Sequence, residues 1–110
     1  MNILFVCSRN KWRSRTAETI YKNSPDFSVR SAGTDSSARI KVSAKLIGWA
    51  DIIFAMEKKH RQRLIENFPA LTADKQIIVL DIPDEYQYMD SELIEIIKTS
   101  VSTYLDNAIR

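Results

Sequence analysis

The sequence predicts an α/β fold, with a parallel sheet covered by helices on both faces. Apolar runs of strand length alternate with segments whose apolar residues recur at helical spacing. The run over 52–56 is apolar without a break, which is typical of a parallel strand buried on both sides. Strands joined through helices form parallel sheets with right-handed crossovers, and ligands bind beyond the carboxyl ends of such strands.

The first half of the chain carries two predicted strands and two predicted helices. These cover residues 2–6 (strand), 13–23 (helix), 27–32 (strand, ending at Gly33) and 37–48 (helix). The second helix is predicted because Ile40, Ala44 and Ile47 recur at helical spacing after Ser37. Gly48 follows where a C-terminal cap is expected, since glycine readily adopts the conformation that ends a helix.

The second half carries a strand over 52–56, a helix over 58–67, a strand over 76–80 and a long final helix. Residues 81–86 are predicted to form a loop, because Pro83 disfavours both a helix and a central strand. Either Asp90 or Ser91 caps the final helix. Its apolar stripe is the strongest helical pattern in the chain and consists of Leu93, Ile94, Ile97, Val101, Tyr104, Leu105 and Ala108.

Length and composition describe an ordinary globular protein. The 110 residues suit one domain over 1–110, with 45% hydrophobic and 27% charged residues. A net charge of +2 is too small to indicate a nucleic-acid partner, and no apolar run is long enough for a membrane span. The N-terminal segment lacks the basic region of a signal peptide, and the single cysteine suits a reducing compartment. We therefore expect a cytoplasmic protein.

Cys7 and Arg13 flank the turn between the first strand and the first helix. At a helix N-terminus, free N–H groups and the helix dipole favour an anion. These surroundings stabilise the thiolate of Cys7, which is the nucleophilic form. We therefore favour a nucleophile over the alternative, a small apolar residue of the core. The planar guanidinium of Arg13 matches two phosphate oxygens. We interpret the turn as a catalytic loop whose phosphate-binding residues are Ser8, Arg9, Asn10, Lys11, Trp12 and Arg13.

This loop resembles that of the low-molecular-weight protein tyrosine phosphatases, which follow the same strand with Cys-x-Gly-Asn-x-Cys-Arg-Ser. The matching positions are Cys7, Asn10, Arg13 and Ser14. Residues 31–34 and 50–57 are similar to two further family segments, Ser-Ala-Gly-Thr and an apolar strand that ends in Met-Asp. The resemblance implies a sheet of four strands and a phosphatase that forms a cysteinyl-phosphate intermediate without a metal ion or other cofactor.

Three side chains are predicted to support the loop. By the resemblance, Asn10 and Ser31 belong to a polar network that fixes its shape. Ser14 directly follows Arg13, so its hydroxyl can donate a hydrogen bond to the thiolate. The alternative for Ser14 is an ordinary serine in the first turn of a helix.

The chain departs from the family pattern at three places. Arg9 stands where the family has glycine, and it adds a positive charge at the mouth of the site. Trp12 replaces the second loop cysteine, so no neighbouring thiol can form a disulfide with Cys7. The absence of further cysteines also argues against the cysteine relay of the related arsenate reductases. The segment between Gly33 and Trp49 is shorter than in the family, which predicts a more open site.

Hydrolysis also needs an acid that protonates the leaving oxygen. The family takes this acid from the loop after strand 4, where Asp81 and Asp84 are both candidates. Counting from the strand favours Asp81, whereas the distance to the last helix and the spacing to Tyr86 favour Asp84. We choose Asp84 and retain Asp81 as the alternative. Trp12, Tyr86 and Tyr88 can form an aromatic wall for the substrate, although loop packing explains the two tyrosines equally well.

The sequence thus predicts a phosphatase, most simply one that acts on phosphotyrosine in proteins. One alternative is a module that binds phosphate or phosphotyrosine without turnover, and another is a phosphatase of a small non-protein ester. The expected partner is a phosphorylated protein or a small phosphate ester. His60, the only histidine, lies in a polar helix and is predicted to be solvated and without a role.

Overall fold

The computed structural model of the protein describes the backbone of residues 1–109 and the side chains of residues 1–105. Its strands are β1 (Asn2–Cys7), β2 (Ser28–Gly33), β3 (Ile52–Ala55) and β4 (Gln76–Val79). Its helices are α1 (Arg13–Tyr21), α2 (Ala44–Trp49), α3 (Lys58–Asn67), α4 (Pro69–Thr72) and α5 (Ser91–Ile109). At least one helix follows every strand, which is the alternation that the sequence predicts.

The strands form one parallel sheet in the order β2-β1-β3-β4. Cys7, the last residue of β1, lies opposite Gly33 of β2, and Val6 lies opposite Ala55 of β3. The carboxyl ends of the strands therefore meet at one edge of the sheet. The strand order changes direction between β1 and β3, where sheets of this kind hold their ligands. The predicted four-stranded parallel sheet is confirmed.

Helices cover both faces of the sheet, as predicted. Successive residues of β1 point to opposite faces, so the strand contributes to two separate cores. Ile3, Phe5 and Cys7 pack in a cluster with apolar residues of α1 and α5, whereas Leu4 and Val6 pack in a cluster with α2 and α3. Because Cys7 belongs to the first cluster, its sulfur lies on the α1 side of the sheet.

The second helix begins and ends later than predicted. It starts at Ala44 rather than Ser37, and the Ser43 hydroxyl caps it by accepting an N–H of the first turn at 3.2 Å. Gly48 lies inside α2 instead of after it, and Ala50 caps the C-terminus through its own N–H. The predicted start and the predicted glycine cap are both wrong.

Residues 40–42 lie against the end of β2 instead of forming part of that helix. Lys41 pairs with Gly33 in an isolated parallel bridge. The Gly33 N–H donates to Ile40 O at 2.8 Å, and the Val42 N–H donates to Gly33 O at 2.9 Å. Since β2 is at the edge of the sheet, these bonds satisfy backbone groups that would otherwise be unpaired. The free energy of these backbone hydrogen bonds outweighs the helical preference that the apolar spacing indicates.

The last third of the chain follows the prediction more closely. The third helix ends at Asn67, as predicted, and Pro69 then opens the short helix α4, because proline suits the first position of a helix. Asp90 is the cap of α5, where its Oδ1 accepts the N–H groups of Glu92 at 2.9 Å and Leu93 at 3.3 Å. Ala108, at the end of the predicted stripe, lies outside the described side chains. No helix in the described part of the chain is both long and apolar enough to cross a membrane.

Candidate active site

A cavity of about 420 Å³ lies at the carboxyl edge of the sheet. The residues that line it are Cys7, Ser8, Arg9, Lys11, Trp12, Arg13, Asp35 and Asp84. Six of these eight belong to the end of β1, the loop over residues 8–12 and the start of α1. The Cys7 side chain is almost fully buried, with 3% exposure. The sequence-predicted loop and the cavity are thus the same site.

Residues 34–39 hold the carbonyl groups of this loop from outside. The hydrogen bonds are Thr34 N to Cys7 O (3.0 Å), Asp35 N to Ser8 O (2.8 Å), Arg39 N to Arg9 O (2.9 Å) and Arg39 Nε to Asn10 O (3.1 Å). In a trans peptide the N–H points away from the C=O. The N–H groups of residues 8–11 therefore point away from residues 34–39.

The N–H groups of residues 8–12 have no hydrogen-bond partner among the described residues. The first turn of α1 adds further open donors, because its N-cap residue, Trp12, makes no side-chain capping bond. A run of unpaired N–H groups at the N-terminus of a helix is a typical place for an anion to bind. This run surrounds a cavity that Cys7 and Arg13 also line.

Gly33 is packed tightly between the loop over residues 8–12 and the segment over residues 34–39. A Cβ atom at Gly33 would lie 2.4 Å from the carbonyl oxygen of Ser8 and 2.7 Å from the Cβ of Ala38. We expect Gly33→Ala to lower the free energy of unfolding by about 1–3 kcal/mol, because backbone must move to admit the methyl group. Urea denaturation measures this change.

Gly48→Ala is the matched control for that substitution. A Cβ atom at Gly48 meets nothing within 4 Å, and alanine suits a helix interior better than glycine. We expect this variant to be at least as stable as the wild type. Equal unfolding free energies for the two variants would contradict a close approach at Gly33.

Asn10 shapes the centre of the loop. Its backbone has a φ of 58°, a left-handed conformation that asparagine tolerates better than most residues, and its side chain is fully buried. Its Nδ2 donates to Ser14 Oγ at 2.7 Å and to Ser31 Oγ at 2.8 Å. Ser14 Oγ lies 2.9 Å from Cys7 Sγ. Because Ser14 accepts from Asn10, its own proton can be donated to the sulfur, where it stabilises a thiolate.

Two charged residues extend this network. Ser31 donates to Glu18 Oε1 at 2.8 Å, and Glu18 lies 3.8 Å from the Arg39 guanidinium. Arg39 also donates to the Asn10 carbonyl, which closes a ring around the left-handed residue. The sequence does not mark Glu18 or Arg39, since neither lies in a recognisable motif and only contacts between distant segments reveal them.

The Arg13 guanidinium is 2% exposed and is fixed by three neighbours. Its Nη1 donates to Glu57 Oε1 at 2.5 Å and to Ile82 O at 2.8 Å, while its Nε lies 3.8 Å from Asp84 Oδ1. Burial alone would raise the pKa of Glu57, but the hydrogen bond and charge of Arg13 outweigh burial and lower it. Arg13 is therefore a rigid cation at the edge of the cavity.

Comparison with known proteins finds likeness in structure rather than in sequence. No protein-family model and no curated protein matches the chain. The arginine phosphatase YwlE from Geobacillus stearothermophilus is 23% identical, with 97% of this chain and 94% of that chain covered and a TM-score of 0.75. A low-molecular-weight protein tyrosine phosphatase from Streptococcus pyogenes is 16% identical, with coverages of 96% and 91% and a TM-score of 0.79.

A third similar structure is Wzb from Vibrio vulnificus in complex with benzylphosphonate. It is 20% identical, with 96% of this chain and 97% of that chain covered and a TM-score of 0.77. The chain has the low-molecular-weight protein tyrosine phosphatase fold. At these identities the likeness concerns the fold, so the chemistry must be argued from the site itself.

This phosphatase fold accommodates the unusual loop residues. Arg9 replaces a glycine of the family pattern. Its φ is not positive, so its backbone conformation does not require glycine. Trp12 lines the cavity and is 43% exposed. Lys11 lines the cavity as well. The side chains of these three residues therefore shape the mouth of the cavity.

The two candidate acids of the phosphatase fold lie in different places. Asp84 lines the cavity beside Cys7, and its side chain is 55% exposed. Asp81 has a φ of 55° and lines a separate surface cavity together with Glu57, Lys58, Lys59 and Pro83. The structure thus brings Asp84 to the cavity of Cys7 and does not bring Asp81 there.

The two predicted wall tyrosines do not line the cavity, whereas Trp12 does. Tyr86 packs partly buried against the core cluster of α1 and α5. The Tyr88 hydroxyl is hydrogen-bonded to Thr19 Oγ1 at 2.8 Å, and the guanidinium of Arg15 lies over the Tyr88 ring at 4.5 Å. In this conformation the tyrosines attach the loop before α5 to the rest of the protein.

His60 is buried, with 1% exposure, so the prediction of a solvated histidine is wrong. Its Nε2 lies 2.9 Å from Ser8 Oγ, and its Nδ1 accepts the Glu57 N–H at 3.0 Å. Burial, followed by the charge of Arg13, lowers the pKa of His60 to about 4, although Glu57 opposes the shift. The residues around His60 on α3 are mainly exposed and charged, and this polar sequence conceals its inward direction.

Proposed function

We propose that the protein is a phosphomonoester hydrolase that uses Cys7 as its nucleophile, needs no metal ion and acts on phosphotyrosine in proteins. The main support is the run of unpaired N–H groups at residues 8–12 around the cavity of Cys7 and Arg13. A phosphoryl group has the charge and the oxygen atoms that such donors fit. The fold adds support, since structures that share it include a tyrosine phosphatase and an arginine phosphatase.

In the first step the Cys7 thiolate attacks phosphorus in line with the leaving oxygen. The S–P bond forms as the P–O bond breaks, and Asp84 gives its proton to the departing oxygen. Arg13 and the N–H groups of residues 8–12 hold the remaining phosphoryl oxygens and stabilise the charge that develops on them. The product of this step is a cysteinyl phosphate and a free alcohol or phenol.

In the second step water displaces the sulfur. The Asp84 carboxylate takes a proton from water as the water oxygen attacks phosphorus, and the S–P bond breaks. Cys7 leaves as a thiolate, with Ser14 as its hydrogen-bond donor, and inorganic phosphate is released. Both Cys7 and Asp84 return to their starting states, and one water is consumed.

An aromatic leaving group suits the mouth of this cavity. Trp12 lines it and is 43% exposed, so its indole can stack on a substrate ring. The similar Wzb structure holds benzylphosphonate, a phosphonate with an aromatic ring. A phosphotyrosine side chain combines the same ring with a phosphoryl group.

Phosphoarginine in proteins is a second candidate substrate. The cavity is lined by two carboxylates, Asp35 and Asp84, which can bind a guanidinium. Backbone and side-chain hydrogen bonds from Ser37 lower the pKa of Asp35, so this carboxylate stays charged. The arginine phosphatase YwlE shares the fold. The ratio of kcat/KM on matched phosphotyrosine and phosphoarginine peptides decides between the two substrates.

We infer that the chain acts as one domain over residues 1–110 and works in the cytoplasm. Its chemistry depends on a single free thiol, which a reducing compartment preserves. Its partner is then a phosphorylated protein, with a small phosphate ester as the alternative.

Hydrolysis of p-nitrophenyl phosphate in the presence of a metal chelator tests the proposed function. We expect turnover, inhibition by vanadate and a phosphorylated Cys7 that can be trapped by rapid acid quenching. A binding module without turnover would instead be stabilised by phosphate while no nitrophenol appears. That second result would reject the proposed hydrolase.

Asp84→Asn removes the proposed acid, and Asp81→Asn is its matched control in the same loop. We expect Asp84→Asn to lower kcat for p-nitrophenyl phosphate by about 100-fold, within the usual range for a positioned acid. The loss should be larger for a poorer leaving group, because that oxygen needs the proton more. We expect Asp81→Asn to keep kcat near the wild-type value. A large loss of kcat in Asp81→Asn with wild-type kcat in Asp84→Asn would instead assign the general acid to Asp81.

A further inference from the structure

His60 joins the first turn of α3 to the nucleophile loop. Its ring is buried, and its Nε2 lies 2.9 Å from the hydroxyl of Ser8, a residue that lines the cavity. The two residues are 52 positions apart in the sequence, so the contact is a product of the fold. Ser8 directly follows the proposed nucleophile.

The second ring nitrogen identifies the tautomer of His60. The backbone N–H of Glu57 donates to Nδ1 at 3.0 Å, and a backbone N–H can only donate. Nδ1 must therefore carry a lone pair, and in the neutral ring the proton lies on Nε2. It follows that Nε2–H donates to Ser8 Oγ, which acts as the acceptor.

This arrangement leaves the Ser8 hydroxyl with one proton to give. No acceptor for that proton lies within hydrogen-bond distance among the described side chains and loop backbone groups. Ser8 lines the cavity, where the proposed substrate brings phosphoryl oxygens. We propose that His60 is a positioning residue that orients the Ser8 hydroxyl as a further hydrogen-bond donor to the phosphoryl group. This inference rests on the proposed function of the site.

The same helix turn also positions Arg13. The Glu57 carboxylate accepts from Arg13 Nη1. The His60 ring accepts from the Glu57 N–H at 3.0 Å, and the His60 N–H donates to the Glu57 backbone carbonyl at 3.1 Å. The start of α3 thus makes two contacts with the loop over residues 8–13. One contact fixes the guanidinium of Arg13, and the other fixes the hydroxyl of Ser8.

Two substitutions separate the positioning role from the capping role. In His60→Asn the shorter amide keeps an acceptor near the Nδ1 position, so the cap survives but Ser8 loses its donor. In His60→Gln the longer amide carries an N–H near the Nε2 position, so Ser8 keeps a donor while the cap weakens. Both variants keep a polar side chain of similar size, and urea denaturation reports the cost of each to folding.

We expect His60→Asn to lower kcat on an aryl phosphate about 10-fold, a modest share of what one oxyanion donor supplies. His60→Gln should rescue most of that loss, although it is the less stable of the two. Ser8→Ala should lower kcat by a similar factor, and adding His60→Asn to Ser8→Ala should cost nothing more. In ¹⁵N-labelled protein at neutral pH, the His60 signals should show the proton on Nε2.

The opposite results overturn the inference. These are wild-type kcat in His60→Asn, additive losses in the double variant, or a proton on Nδ1. If the wild type binds inorganic phosphate without turnover, the proposed hydrolase fails. The inference about His60 then predicts that phosphate affinity falls in His60→Asn and is largely restored in His60→Gln. A wild type that binds no phosphate rejects both the site and the role of His60.

Discussion

Replacing Cys7 with serine should abolish turnover of aryl phosphates while phosphate still binds. A hydroxyl is not ionised near neutral pH, so neither the loop N–H groups nor Ser14 can convert it into the required nucleophile. Removal of an enzyme nucleophile costs roughly 10⁴-fold or more in kcat. Single-turnover kinetics with excess protein measure the loss, and a thermal shift with phosphate measures binding.

The single cysteine offers a second measurement of the same assignment. Alkylation by iodoacetate has only Cys7 as a thiol target, and phosphate in the cavity should protect it. Ser24→Ala, outside the cavity lining, controls for a general effect of a side-chain change. Wild-type kcat in Cys7→Ser would exclude the thiophosphate mechanism.

Arg13→Lys should lower kcat/KM for aryl phosphates by about 1,000-fold, the upper end of the effect of one transition-state donor. Lysine keeps the charge but loses the planar fork, and its single ammonium group cannot contact Glu57, Ile82 and a phosphate in the geometry of the guanidinium. The Glu57 carboxylate retains a cation nearby, so we expect the fold to survive. Steady-state kinetics and circular dichroism test the two statements.

Arg15→Lys is the matched control for that substitution. Arg15 is two residues further along α1, and its guanidinium lies over the Tyr88 ring outside the cavity lining. We expect kcat/KM within about twofold of the wild type, as is usual for changes away from the reacting groups. Similar losses at both positions would mean that general charge, rather than the fork of Arg13, attracts the substrate.

The strands and the position of the loop over residues 8–12 could be predicted because their signals are local. Continuous apolar runs such as 52–56 identify buried parallel strands, and Cys7 and Arg13 stand next to each other along one turn. Local signals could not give the correct start of the second helix, which the pattern places at Ser37. Its spacing is helical, but Gly33 forms backbone bonds to Ile40 and Val42, and no pattern in the sequence shows such a pairing.

Within the site, the residues that could be predicted lie in the loop motif itself, and those that could not be predicted reach it from distant parts of the chain. Asn10 and Ser14 are in the loop motif, whereas Glu18 and Arg39 act through contacts between separate segments. The burial of His60 could not be predicted, because its neighbours in the sequence are mainly charged and only the packing of α3 turns its ring inward. The choice between Asp81 and Asp84 depends on the path of one loop, which residue counting does not determine.

The outer segment over residues 34–39 has a consequence for how this site can diversify. This segment donates hydrogen bonds to the backbone carbonyl oxygens of the loop, which every amino acid possesses. The side chains at the mouth of the cavity are therefore not needed for these bonds. If the proposed function holds, Arg9, Lys11 and Trp12 can therefore be replaced to suit different substrates while the N–H groups of the loop keep their positions. Libraries randomised at these three positions should yield altered selectivity at little expense to folding.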